Sequence, residues 1–598
     1  MKKIWSYSTT LRNPERLRGF LIVLQEMDGE KWTKSNQIKF QTKLIQDRVY
    51  GFGSTQFYNG LTQTQVDLIN DVAQPISFEQ ATEIFNRKQY EDPAMRGRTS
   101  YKPLEKMGLV VLINKTIKIT NLGKYLLSDD YDLGEIFFKS FLKWQYPNPV
   151  DREFKDGNIY NFKPFVLTLH LIHRVNQICK EKGIKAKGVS KLEFELFVLT
   201  LINYADLERQ ASTLINFRVA LEKIADHKDK TIFIENYKYN LSLKFKNFDD
   251  SSDYADNVLR YFKMTRYLYF RGGDYYIDLE PRRMVEINSL LATFDGSKED
   301  MSKSENIEYT SDINLPELPW ETQEKLTEIY NRSIQDINKI ETELGKSETN
   351  IKTIPNVDGL IKETKRLRVY RTQLQNLILK TELQDTSKID EVIDKLNNIR
   401  KSEDLKPSIA LEKYTTRALI IINDAKDIKA NSKVGDDNEF IYTAPANQPD
   451  IECYYDNFNS ICEVTMLVGR NQWHNEGQPV MRHFRDFEKN SEQDDNYCLF
   501  VAPKIHRDTI NTYWTSVKYE YEGSKQKIVP FTIDQIVGIL RTIKEIKISD
   551  QIFSHLQFQK LLDDIIDLTG VAEDSVDWLR QIPECIENWK SDIIENAA

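Results

Sequence analysis

Asp450 and Glu463 sit near the ends of the stretch PDIECYYDNFNSICEVT (449–465), in which two β-prone runs flank a polar turn. With the turn centred on Asn457 and Phe458, Asp450 falls opposite Thr465 and Glu452 opposite Glu463. All four then share one face, because strand side chains alternate with period two. Asp450 and Glu463 become diagonal neighbours, with backbones about 7–8 Å apart. Carboxylates that close repel unless something neutralises them, and a divalent cation between them is the simplest solution. Oxygen-only donors favour Mg²⁺ over zinc, and the Val464 carbonyl can complete the protein's share. The alternative is an exposed, merely polar hairpin face. Against it, SICEVTMLV (460–468) is otherwise apolar, so Glu463 is expected to be partly buried, where an unpaired carboxylate is costly.

An α/β module must position these acids. The pattern predicts a helix over about 408–422, strands over 450–456 and 460–468, and a helix after Pro479. A strand through YCLFVAP (497–503), a helix over 508–518, a strand at KIVPFT and terminal helices follow. Upstream, Leu326, Ile329, Tyr330, Ile334, Ile337, Ile340 and Leu344 recur at helical spacing. So do Leu360, Leu367, Tyr370, Leu374 and Leu377, and then Ile389, Val392, Ile393, Leu396 and Ile399. These stripes predict packed amphipathic helices. Residues 99–128 read as helix, Gly108, two short strands around an NKT turn, and a second helix, the order of a winged helix. A weaker echo spans 254–291 around an RGGD turn, and KLEFELFVLTLINYA (191–205) reads as a helix between the two.

The charge is uneven. The net charge is -9, but from Lys406 onward 21 Lys+Arg face 32 Asp+Glu, whereas the preceding residues carry 61 and 59. The acidity thus lies in the module that holds the carboxylates, and a partner anion would need a cation or another domain to approach it. Five cysteines without a CxxC pair argue against a disulfide framework or zinc site and for a reducing cytoplasm. No apolar run reaches the ~18 residues of a membrane span. The N-terminus lacks the continuous apolar stretch of a secretory signal.

In NQPDIECYYDNFNSICEVT…NEGQPVMRHF the chain closely resembles the catalytic segment of the AlwI-type type IIS restriction endonucleases and the related site-specific nicking endonucleases. RNPER after Trp5, LKWQYP (142–147), the LP…ET entry to the connecting helices and YCLFVAP fit the same family in the same order. The resemblance implies a multidomain fold of α/β and α parts. It comprises an N-terminal winged-helix-type DNA recognition region (1–310), an α-helical linker domain (311–405) and a C-terminal PD-(D/E)xK nuclease α/β domain (406–598). Asp450 and Glu463 match the family's metal-binding acids, Glu476 and His483 the acid and histidine of the following helix, and Glu412 an acid on the preceding helix. Glu476 is expected to bind metal directly or through water. Many metal-dependent nucleases place lysine two residues after the second acid; here Thr465 stands there, in agreement with this particular family. Another group must then activate water, and His483, neutral near pH 7, is the candidate. Arg482 would stabilise phosphate or pair with a neighbouring acid.

Arg96, Arg98 and Lys102 in MRGRTSYK, Lys115 in the hairpin turn, and Arg12 and Arg16 near the N-terminus are candidate contacts to base edges or phosphates of double-stranded DNA, or else an ordinary solvated basic face. The expectation is a Mg²⁺-dependent endonuclease that cuts at a fixed offset from a short asymmetric site in a restriction-modification system. Two alternatives stand beside it: a strand-nicking large subunit that needs a small subunit or transient self-association for the second strand, and a catalytically inactive winged-helix regulator.

Overall fold

Asp92 and Pro93 start a helix as their chemistry dictates. The Asp92 carboxylate accepts from the Met95 amide, and proline at the first helical position sacrifices no hydrogen bond. The helix, Pro93–Lys106, stops just before Gly108, where a φ of +75° and a close approach to the Thr310 carbonyl exclude a side chain. Val110–Ile113 then pairs antiparallel with Thr116–Ile119. The chain turns through Asn114 and Lys115, whose positive φ values of 50° and 57° suit a two-residue hairpin turn. Thr120 caps the next helix, Asn121–Leu127, by accepting from the Gly123 amide. The second helix–hairpin–helix is also present: Ser251–Lys263, Leu268–Arg271 paired with Tyr276–Leu279, and Met284–Thr293, with Val189–Ser190 added as a third strand. Residues 272–274 of its turn lie outside the described residues.

The computed structural model describes residues 2–7, 11, 13–50, 55–70, 74–150, 154–271, 276–401, 405–422, 424–434, 440–444, 448–549, 551 and 553–597. It divides into two units, Met1–Lys325, which holds both of these motifs, and Leu326–Ala598. The helix expected over 191–205 is shorter than its periodicity suggests. It runs Lys191–Glu193 and continues as one π-helical stretch, Phe194–Val198. Beyond it, tertiary donors take the carbonyls that would have carried the helix on: the Trp5 indole binds Val198 O, the Trp5 amide Leu199 O, and the Asn161 amide Ile202 O.

In the second unit the amphipathic stripes form helices Gln323–Glu343, Val357–Glu382 and Thr386–Asn397. Their apolar faces are largely buried, with Ile340, Leu344 and Tyr370 half-buried and Leu377 exposed. The α/β part is built on a five-stranded sheet in the order Ile528–Thr532, Asn496–Ala502, Asn459–Val464, Ile451–Tyr454, Asp427–Ala430. The first three strands are parallel and the last two pair antiparallel. Strand Asn496–Ala502 is buried along its whole length, as a central parallel strand should be. Helices Pro407–Ile421 and Ile533–Ile548 belong to the sheet's apolar core, which the Thr386–Asn397 helix also joins.

The helix expected after Pro479 begins nine residues earlier and runs Arg470–Asn490, with Pro479 inside it. The fully buried Gln472 fixes its first turn. The Gln472 amide group donates to the Leu467 and Lys504 carbonyls, and its oxygen accepts from the His506 amide. Tertiary bonds of this kind hold a turn in place although a proline follows.

Candidate active site

The turn closes one residue earlier than its composition suggests, through the Tyr455 amide and the Phe458 carbonyl at 3.1 Å. Phe458 is fully buried and stacked on Tyr455 at 4.4 Å, so it serves as a core residue and leaves Asp456 and Asn457 at the tip. The register is therefore Ile451↔Cys462 and Glu452↔Ile461. This corrects the expected pairing. Glu452 does not face Glu463, Thr465 does not face Asp450, and continuation of the ladder sets Asp450 directly across from Glu463. The shift is two residues, so the acids keep their common face but come closer together. Glu452 is held by the Tyr454 hydroxyl at 2.5 Å, Asn431 at 2.7 Å and Lys429 at 3.4 Å.

Asp450 accepts the Val464 amide on Oδ2 at 2.8 Å. The Val464 N–H is thus committed to Asp450, which ties the two paired strands together at the acid. Glu463 is 5% exposed, as its apolar strand foretold, and its Oε1 lies 2.9 Å from His483 Nδ1. Glu476 is bonded by the Thr465 hydroxyl, which itself accepts the Leu467 amide at 3.1 Å. Glu412 is buried and takes the Ser432 hydroxyl and, at 3.1 Å, the Ala444 amide. Thus Asp450, Glu463, Glu476, His483 and Glu412, spread over more than seventy positions, form one connected neighbourhood. Sequence reading missed Ser432, Ala444 and the bond from Thr465; no local pattern marks them.

These groups act on each other electrically. Burial first, then Glu463 and Glu412, push the Asp450 carboxyl well above the usual carboxylate range. Burial and then Glu476 do the same to Glu463. Burial raises Glu476 and lifts Glu412 to about 7. Burial, then Arg482, lowers His483, which keeps the imidazole neutral near neutral pH. Arg482 makes no ion pair among the described residues.

Carboxylates that resist joint ionisation are relieved by a nearby cation, and oxygen donors suit a hard divalent one. Asp450 and Glu463 fit it best, being opposed across one strand pair. Among the described residues no three acid, imidazole or thiol groups already converge as a cage. N–H and O–H donors occupy oxygens of Asp450, Glu463 and Glu412. All five cysteines are free thiols. Among the described residues no helix is long and apolar enough to cross a membrane.

A stability consequence follows. Glu412 keeps its proton to higher pH in the folded state than in the unfolded chain. Its stabilising effect is complete below about pH 4.5 and is lost as the pH rises through about 7. Metal-free protein should therefore lose about 3 kcal/mol relative to Glu412→Gln between pH 5 and pH 8. Chemical denaturation of both proteins in EDTA reads this directly; a gap constant with pH contradicts it.

The basic candidates are placed as follows. Arg96 lies over the Tyr90 ring at 4.5 Å. Arg98 pairs with Asp92 at 2.6 Å and bonds Gln37, and Lys102 pairs with Glu105 at 2.8 Å. Lys115 is exposed on the hairpin turn. Arg16 donates to the Val49 carbonyl, and Arg12 lies outside the described residues. Arg98, Lys102 and Lys115 line one cleft.

An α/β unit with a carboxylate–histidine centre is an architecture that supports hydrolysis, and comparison with known proteins makes the class definite. A sequence model described as AlwI restriction endonuclease matches residues 105–539, and the chain belongs to that family. It is a type II site-specific deoxyribonuclease acting on DNA, and enzymes of this family generally use divalent metal ions. No curated protein matches the chain. Solved structures share parts of it at low similarity. The small subunit (R.BspD6I2) of the heterodimeric restriction endonuclease R.BspD6I is 19% identical, covering 34% of this chain and 98% of that one, with a TM-score of 0.28. The BpuJ1 endonuclease binding domain, in complex with pyrene- and phenanthrene-modified DNA, is 15% identical over 44% of this chain and 94% of that one, with a TM-score of 0.28. Restriction endonuclease FokI is 12% identical over 91% and 96%, with a TM-score of 0.21.

Proposed function

We propose that the protein is a type IIS enzyme that binds a short asymmetric duplex site and hydrolyses a phosphodiester bond at a fixed offset outside it, with Mg²⁺, as part of a cytoplasmic restriction-modification system. In this reading residues 1–310, with two winged-helix-like motifs, bind DNA, residues 311–405 connect, and residues 406–598 form the PD-(D/E)xK cleavage domain. The observation that carries it is the opposition of Asp450 and Glu463 on paired strands, with His483 bonded to Glu463. Bound Mg²⁺ would polarise the phosphate and acidify a water molecule. Asp450 and Glu463 would hold it, with Glu476 as a further oxygen donor and the Val464 carbonyl as the backbone candidate. An ionised Glu463 only accepts, so His483 Nδ1 carries the proton and Nε2 is left to take one from water. Thr465 holds Glu476 where a lysine stands in many nucleases. Arg482, beside His483 and without an ion pair among the described residues, suits a phosphate.

Incubating supercoiled plasmid with the protein, with and without Mg²⁺, and sequencing the ends tests this reading. Cleavage at one distance from a common asymmetric sequence, only with the cation, is expected; cleavage inside the recognised sequence or without divalent metal refutes it. A second reading rests on the grouping of Asp450, Glu463 and His483, which makes one centre, enough for one strand. As a nicking large subunit, the chain alone would give open circles and no linear DNA. A small subunit or transient self-association would then supply the second cut.

A further inference from the structure

The first unit contains a cleft of 880 Å³ between the Pro93–Lys106 helix, the Val110–Ile119 hairpin and helices Leu133–Lys143 and Lys303–Ser311. Its lining carries six basic residues, Arg98, Lys102, Lys106, Lys115, Lys143 and Lys303, against one acid, Glu105. Surface cations alone would mean little. Two features deeper in the cleft mean more. Lys143 is 2% exposed, yet it makes no ion pair among the described residues; its amine donates to the Asp312 carbonyl at 2.6 Å. Its neighbour one turn earlier, Lys139, likewise donates only to backbone carbonyls, of Asn314 and Pro316. Burial holds the Lys143 pKa down to about 7 against the attraction of Asp312, so an anion arriving beside this directly carbonyl-bonded amine would favour its charged form. The second feature is Tyr101, 3% exposed and packed on Trp32 at 4.5 Å. Its hydroxyl is buried with no hydrogen-bond partner among the described residues. Buried hydroxyls are nearly always satisfied, so this one marks a place for an acceptor or donor that arrives from outside.

We propose that this cleft seats a backbone phosphate of duplex DNA, with the Lys143 ammonium and the Tyr101 hydroxyl as inner donors and Lys115 and Lys303 meeting flanking phosphates. The inference rests on reading residues 1–310 as the DNA-binding region and adds the place where the backbone is gripped. A strand of regularly spaced anions matches cations set on separate elements better than a single small anion does. The exposed Lys115 and Lys303, on hairpin and helix, have no ion pair among the described residues. Contacts of this type anchor the protein without reading sequence.

The test needs no knowledge of the recognition sequence, because the phosphate contribution is sequence-independent. Anisotropy of a labelled 40-base-pair duplex is measured across a KCl series in EDTA, with full-length protein. Lys143→Met with Lys303→Ala should reduce the slope of log affinity against log salt by about 2, and Lys303→Ala alone by about 1. Tyr101→Phe removes one oxygen and no charge, so it should weaken binding roughly tenfold without changing the slope. Unchanged slope and affinity in all three variants, beside normal binding by the unaltered protein, overturn the cleft alone. No duplex binding by the unaltered protein overturns both the cleft and the DNA-binding region. Thermal stabilisation by inorganic phosphate that depends on Lys143, with duplex binding unaffected, reassigns the cleft to a free anion and overturns the proposal too.

Discussion

Glu463→Gln and Asp450→Asn should each reduce plasmid cleavage by on the order of 10³-fold or more, equivalent to the several kcal/mol that a bound cation supplies to the transition state. Duplex affinity in EDTA should stay within about twofold, since phosphate contacts elsewhere dominate it. The two acids face each other in a buried setting that already resists their joint ionisation. Removing one negative charge therefore removes the site's hold on the cation but relieves the metal-free protein. Glu463→Gln should accordingly melt higher than the unaltered protein at pH 8 in EDTA while being inactive. A variant that is inactive merely because it is misfolded would melt lower and bind DNA poorly. Cleavage by either variant at near-normal rate would falsify the assignment of the two carboxylates.

His483→Ala should slow cleavage by about 10²–10⁴-fold, the usual worth of a positioned general base. The imidazole is fixed by its 2.9 Å bond to Glu463, so one nitrogen is committed and the other is free to act. Because burial and Arg482 hold its pKa below the ordinary histidine value, the base form persists into mildly acid solution. Activity should decline only as the pH falls below the usual histidine range, and His483→Ala should lack that acid limb. Measured at saturating Mg²⁺, the loss should appear in the cleavage step, with the metal requirement little changed. A variant that keeps more than about a tenth of the rate would move the base to another group.

Much of this protein was legible in one dimension. Strand and helix types follow from local periodicity, the turn at Asn114–Lys115 from its polar NKT residues, and the family from motifs in order along the chain. Local chemistry also placed Glu463 in an apolar strand. Composition could not set the hairpin register, since Phe458 reads as a turn residue until the core claims it. Nor could it foresee that Pro479 would lie inside a helix whose start is tied by Gln472, or that the 191–205 helix would yield its carbonyls to Trp5 and Asn161.

The sequence by itself determined which groups exist and which local elements carry them, because helix, strand and turn preferences act over a few residues. Only the tertiary structure decided which groups meet: Asp450 with Val464, Glu463 with His483, Glu412 with Ser432, and Tyr101 with Lys143 along one cleft. Those meetings depend on sheet register and on burial, which are settled by distant packing and the exclusion of water.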